Sequence, residues 1–164
     1  MTLTFDHQTK SILSPFAGIR KRAAIVALVL GPALTAINQS EAVFGNQNIR
    51  YLPMALNFII PFIVVIISQI LGIRKALLDA PKLGRFSESP LQTAFGHGIP
   101  LRSLLLGLLA GSLNAVIASV LAYLNDGTLA NLPVAALAQA YSLPVVFGIL
   151  SQTISYRRTM AAST

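Results

Sequence analysis

Residues Leu52–Ile73 read LPMALNFIIPFIVVIISQILGI, a stretch without Lys, Arg, His, Asp or Glu. A helix needs about 20 mostly apolar residues, each rising 1.5 Å, to cross a hydrocarbon core about 30 Å thick. This run is long enough, and three others match it: Ala23–Phe44, Ser103–Leu124 and Leu132–Ile154. Glu41 is the sole charged side chain within these limits. The composition agrees, because 54% of the 164 residues are hydrophobic and 10% charged, against about 25% charged in a soluble domain. An ordinary soluble domain does not fit these values, and neither does a disordered chain, which requires low hydrophobicity and high charge. The chain has no Cys, which excludes disulfides, zinc–thiolate sites and iron–sulfur clusters.

The formal net charge of +7 would suggest nucleic acid as a partner if the basic residues covered a soluble face. They do not. Lys10, Arg20, Lys21 and Arg22 precede the first span; Arg74, Lys75, Lys82, Arg85 and Arg102 lie between the second and third; Arg157 and Arg158 follow the fourth. Only Arg50, of 12 basic residues, falls in the other set of loops. Cytoplasmic flanks accumulate Lys and Arg, so both termini are expected in the cytoplasm of a bacterial cell, with the protein in the inner membrane and no role in nucleic-acid binding. The expected organisation is a cytoplasmic segment 1–21, a first hairpin 22–75, a cytoplasmic linker 76–100, a second hairpin 101–158 and a tail 159–164. The basic run Arg20-Lys21-Arg22 before an apolar stretch and Gly31-Pro32-Ala33 imitates a cleavable signal peptide, but an internal repeat predicts that the segment is retained.

That repeat emerges at an offset of 80, which places Arg22 on Arg102, Ala27 on Gly107, Gly31 on Gly111 and Leu52-Pro53 on Leu132-Pro133. A three-residue insertion then brings Pro61 onto Pro144, Ser68-Gln69 onto Ser151-Gln152 and Arg74-Lys75 onto Arg157-Arg158. The fold class expected is therefore an all-α membrane protein with four transmembrane helices arranged as two parallel tandem hairpins, related about an axis along the membrane normal. Small residues recur every fourth position in spans one (Ala23, Ala27, Gly31, Thr35) and three (Ser103, Gly107, Gly111, Ala115). Such stripes admit close backbone approach and predict that these helices line the interior of an assembly, while the bulky second span faces lipid. Pro32, Pro61 and Pro144 are candidate helix bends, since each removes an intrahelical hydrogen bond.

Nothing resembling a catalytic constellation is present. His7 and His97 lie outside the spans, no phosphate-binding loop occurs, and no span carries paired carboxylates. No enzyme activity, metal or cofactor is expected. The spans do contain neutral donors. Asn38 and Gln39 stand about 24 Å along the first helix from Arg22, and Asn57 falls at a similar depth in the second, so the three predict a vestibule. Ser68-Gln69 and Ser151-Gln152 form a second layer near Arg74 and Arg157. Amide and hydroxyl groups donate to an anion without the trapping strength of a buried Arg, although ordinary interhelical contacts also use such residues.

From Arg22 the sequence reads RAAIVALVLGPALTAINQSEAVFG, and later ALNFIIPFIV. This resembles the small bacterial nitrate/nitrite transporter family NrtS, at Gly31, Ile37-Asn38-Gln39, Glu41, Pro61 and Val64. The resemblance covers about residues 20–70; the second hairpin shares only Gly111 and Pro144, with Ala118-Ser119 replacing the Asn-Gln pair, and Ser40 stands where Gly is expected. It implies a permease for a small inorganic anion, nitrate or nitrite. Four helices leave little room for an internal path, so the working unit is expected to be an oligomer, of this chain or with other membrane subunits, with membrane lipid around it. A non-transporting accessory subunit of a larger membrane complex is the alternative.

Overall fold

The computed structural model describes residues 18–46, 48–82, 87–126 and 134–163. Lys10, Arg85 and the connection holding Leu132-Pro133 lie outside the described residues, as do the side chains of Ser40, Glu41, Lys82 and Ala118. All regular structure among the described residues is helical: α1 (Ile19–Asn38), α2 (Ser40–Val43), α3 (Tyr51–Asp79), α4 (Pro90–Gly96), α5 (Ile99–Asp126) and α6 (Val134–Ser163), with a 3-10 turn at Ala80–Lys82. Three helices are long and apolar enough to cross a membrane: α1, α3 and the Ile99–Ile117 part of α5.

Each apolar run becomes a helix, but the ends differ from the expected ones. α1 stops at Asn38 because Gln39 leaves helical geometry at φ −129°, short of Phe44. α3 continues beyond Ile73 to Asp79, and Pro81 then tightens the chain into the 3-10 turn. The linker contains its own helix. Ser89 Oγ accepts from the Gln92 backbone N–H at 3.3 Å, Gln92 Oε1 accepts from the Ser89 N–H at 2.9 Å, and Pro90 opens the first turn. This reciprocal cap satisfies donors that a helix start otherwise leaves unpaired. Gly98, at φ +64°, then adopts the left-handed conformation that turns the chain into α5.

The long helices form a row in the order α1, α3, α6, α5. α1 packs on α3 in antiparallel fashion, as the pairs Gly31/Phe58 and Arg22/Gln69 show. α5 packs on α6 likewise through Gly111/Tyr141 and Ser103/Gln152. α3 and α6 run parallel to each other through Gly72/Gln152 and Asp79/Tyr156. In this row α3 and α6 lie in the middle and α1 and α5 at the ends, so α3, the span expected to face lipid, is packed by a helix on either side and along its middle keeps Ile59, Ile63 and Ile67 as an exposed apolar strip. The small-residue stripes are covered within the chain: a Cβ on Gly31 would overlap the Phe58 ring, one on Gly111 the Tyr141 ring, and one on Gly107 the Val145 side chain. Bulky residues on α3 and α6 need a shallow partner, which those stripes supply.

The surface is apolar where a soluble protein is polar. Leu28, Val29, Leu109 and Leu124 are 66–72% exposed, whereas Ser68, Ser103 and Gln152 are wholly buried. Polar groups inside and leucines outside suit a hydrocarbon solvent.

Candidate functional site

The C-terminal end of α1 and the facing N-terminal turns of α3 are held by a run of donors and acceptors. Asn38 Nδ2 donates to Asn57 Oδ1 at 3.3 Å, Asn57 Nδ2 donates to Thr35 Oγ1 at 3.2 Å, and Thr35 Oγ1 donates to the Gly31 carbonyl at 2.8 Å. Thr35 is thus tied back to its own helix, and its oxygen fixes the amide plane of Asn57. Each asparagine keeps one N–H outside these bonds.

Asn38 and Asn57 border a cavity of about 50 Å³ between the two helix pairs. Asn114 of α5 and Gln139 of α6 line its other side, so that all four long helices contribute an amide. Leu30, Leu34, Ile60, Val64, Leu143 and Phe147 supply apolar walls, and Pro61 and Pro144 both line it. A water requires roughly 10–15 Å³ on this measure, so the space admits a few waters or one small polyatomic ion. Among the described residues no charged side chain borders it. Gln139 Oε1 is buried without a hydrogen-bond partner, and a half-turn of the terminal amide, a broad two-fold torsion, would present its NH₂ instead. Four neutral amides in apolar walls can orient and partly desolvate a small hydrogen-bond acceptor. They offer no acid, base or nucleophile, and no cluster of metal-ligating residues occurs among the described residues.

Many of the lining residues match in pairs under the offsets of 80 and 83 found in the sequence. Leu34/Asn114, Leu56/Gln139, Asn57/Ala140, Ile60/Leu143, Pro61/Pro144 and Val64/Phe147 all border the cavity. The amides are not themselves equivalent: where one copy has an amide, the other has Leu or Ala. Asn114 and Gln139 were invisible for that reason, although Asn114 is the one amide in its apolar run.

The remaining expected residues have other occupations. Gln39 turns away from the cavity and clasps the backbone of Arg50, accepting from its N–H at 2.8 Å and donating to its carbonyl at 3.1 Å. Gln69 accepts from Arg22 Nε at 2.7 Å, and Gln152 donates to Ser103 Oγ at 2.9 Å. These two repeat-related glutamines therefore pin α3 to α1 and α6 to α5. Ser68 is wholly buried, with its hydroxyl unpartnered, and Ser151 is half-buried. Each helix continues through its proline; Pro32 is exposed and does not border the cavity.

A second polar cluster, at the end of the bundle bearing Arg157, was not foreseen. His97 places Nδ1 3.1 Å from Asp79 Oδ2 and Nε2 3.0 Å from Glu88 Oε2. Tyr156 donates to Asp79 Oδ2 at 3.0 Å, and Lys75 pairs with Asp79 Oδ1 at 2.6 Å. Burial, then the hydrogen bond and charge of Asp79, push the Tyr156 phenol above its usual pKa, so it remains a donor. Arg157 donates to the Glu88 carbonyl, and Arg102 to that of His97. With Ala76, Ile99 and Met160 buried around Tyr156, this cluster fastens the linker onto α3 and α6. The sequence signal was the placement of Asp79 and Glu88, two of five acids, on the basic side of the chain.

No family model matches the chain, and no curated protein or solved structure matches it significantly.

Proposed function

We propose that this chain is a four-span inner-membrane permease for a small inorganic anion, built from tandem hairpins with both termini in the cytoplasm. The observation that carries the reading is the cavity in which Asn38, Asn57, Asn114 and Gln139 converge from four helices, with no charged group among the described residues that line it. A monovalent oxyanion is held there by hydrogen bonds strong enough to replace part of its hydration, yet weak enough to allow release. The repeat-related lining pairs support a two-hairpin origin, and the apolar exterior supports a bilayer location. Nitrate or nitrite is the substrate to test first, on the resemblance to NrtS. The cavity belongs to one chain, so an oligomer would multiply the site rather than create it. The Lys and Arg of the linker and termini would concentrate anions at the cytoplasmic mouth.

Uptake of labelled nitrate and nitrite by cells expressing the chain tests the proposal. Uptake above that of cells with empty vector is the expected result; equal uptake overturns it. The alternative is a non-transporting accessory subunit, which would dock through exposed leucines of the flanking helices such as Leu105 and Leu109. It predicts recovery in fixed ratio with a larger complex and no loss of anion flux on Asn57→Ala.

A further inference from the structure

A groove of about 400 Å³ runs between α4 and α6, with Leu91, Leu150 and Ile154 on its walls and Arg157 and Arg158 at its rim. It exceeds the amide cavity several-fold and is nearly free of polar surface. The groove exists because α4 is fastened edge-on. Thr93 and Ala94 are buried against the bundle, while Leu91 and Phe95, one helical turn apart, are 71% and 72% exposed. Arg157 secures this arrangement by donating to the Glu88 carbonyl and to Thr93 Oγ1. Arg158 is exposed beside it.

We infer that this groove binds an anionic phospholipid, whose acyl chain lies along Leu91, Leu150 and Ile154 and whose phosphate is met by Arg158. An apolar trough that ends in cations complements an amphiphile with an apolar tail and a negative head. No carboxylate lines the groove among the described residues, so the ammonium of a zwitterionic headgroup finds no counter-charge there. The rim coincides with the end of the apolar run at Ile154, the level at which headgroups lie if the helices span a bilayer. The inference rests on that membrane reading but not on anion transport.

The chain contains no Trp, so Leu91→Trp introduces a single reporter in the groove. The purified protein is reconstituted in phosphatidylcholine vesicles containing either brominated phosphatidylglycerol or brominated phosphatidylcholine at the same mole fraction. The expected result is preferential quenching by the anionic lipid, with about fivefold higher relative occupancy, the contribution of one Arg near anionic lipid. Arg158→Gln removes the preference while quenching by brominated phosphatidylcholine persists, which also reports that the variant is folded and inserted. Arg158→Lys retains it. Equal quenching by the two lipids in the parent, or a preference that survives Arg158→Gln, overturns the lipid site. Absence of quenching by both places the groove away from the lipid and overturns the lipid site as well, while leaving the long apolar helices free to span a membrane.

Discussion

At the scale of single residues, Asn57 has the central position, because it accepts from Asn38, donates to Thr35 and borders the cavity. Asn57→Leu removes both bonds and one ligand donor. A hydrogen bond to a charged group is worth about 1.5–3 kcal/mol, so anion flux is expected to fall tenfold or more in a vesicle assay. Asn114→Leu tests the same cavity from the opposite helix, where no hydrogen-bond network is disturbed; unchanged flux would remove α5 from the path. Gln39→Ala, by contrast, is expected to leave flux largely intact, since its amide serves the Arg50 backbone. Sequence alone placed Asn38 and Asn57 together because both lie at a countable depth in apolar runs. It could not separate them from Gln39, since adjacent residues on a helix point about 100° apart and only the neighbouring helix decides which one meets the cavity. Asp79, Glu88, His97 and Tyr156 were beyond reach for a different reason: Tyr156 and Asp79 are 77 residues apart, and their meeting depends on α3 continuing past its apolar run.

At the scale of elements, the glycine–aromatic contacts decide how close the helices lie. Gly111→Leu would drive its side chain into the Tyr141 ring, and overpacking of this kind costs about 1–3 kcal/mol. A lower apparent melting temperature in detergent is expected, and the same for Gly31→Leu against Phe58. If either variant is as stable as the parent, the helix order α1, α3, α6, α5 is wrong at that contact. The stripes were legible as shallow surfaces but not as to their partner, since a small residue records close approach without recording what approaches. The linker helix makes a separate prediction. Ser89→Ala removes the reciprocal cap of α4, a loss of about 1 kcal/mol, and His97→Ala removes the bridge between Asp79 and Glu88. Both variants are expected to become more susceptible to limited proteolysis within the linker, with the long helices still intact.

At the scale of the whole molecule, run length and hydropathy made the helices that are long and apolar enough to cross a membrane readable, because a bilayer imposes a one-dimensional constraint on sequence. The cavity needed three dimensions, as its amides come from four helices far apart in sequence and fall at non-equivalent positions under the offsets of 80 and 83. The topology predicts that a cysteine at Asn46, exposed beyond α2, is labelled by an impermeant maleimide from outside intact cells, whereas one at Ser163 is labelled only after permeabilisation. The reverse pattern would invert the orientation. The central claim is that four neutral amides within one chain pass a small anion. It is tested most directly by nitrate flux into liposomes containing only the purified protein, compared with a variant carrying Leu at Asn38, Asn57, Asn114 and Gln139. Protein-dependent flux that the fourfold variant loses is the predicted result; flux no greater than that of protein-free liposomes, or equal flux in the two proteins, would contradict it.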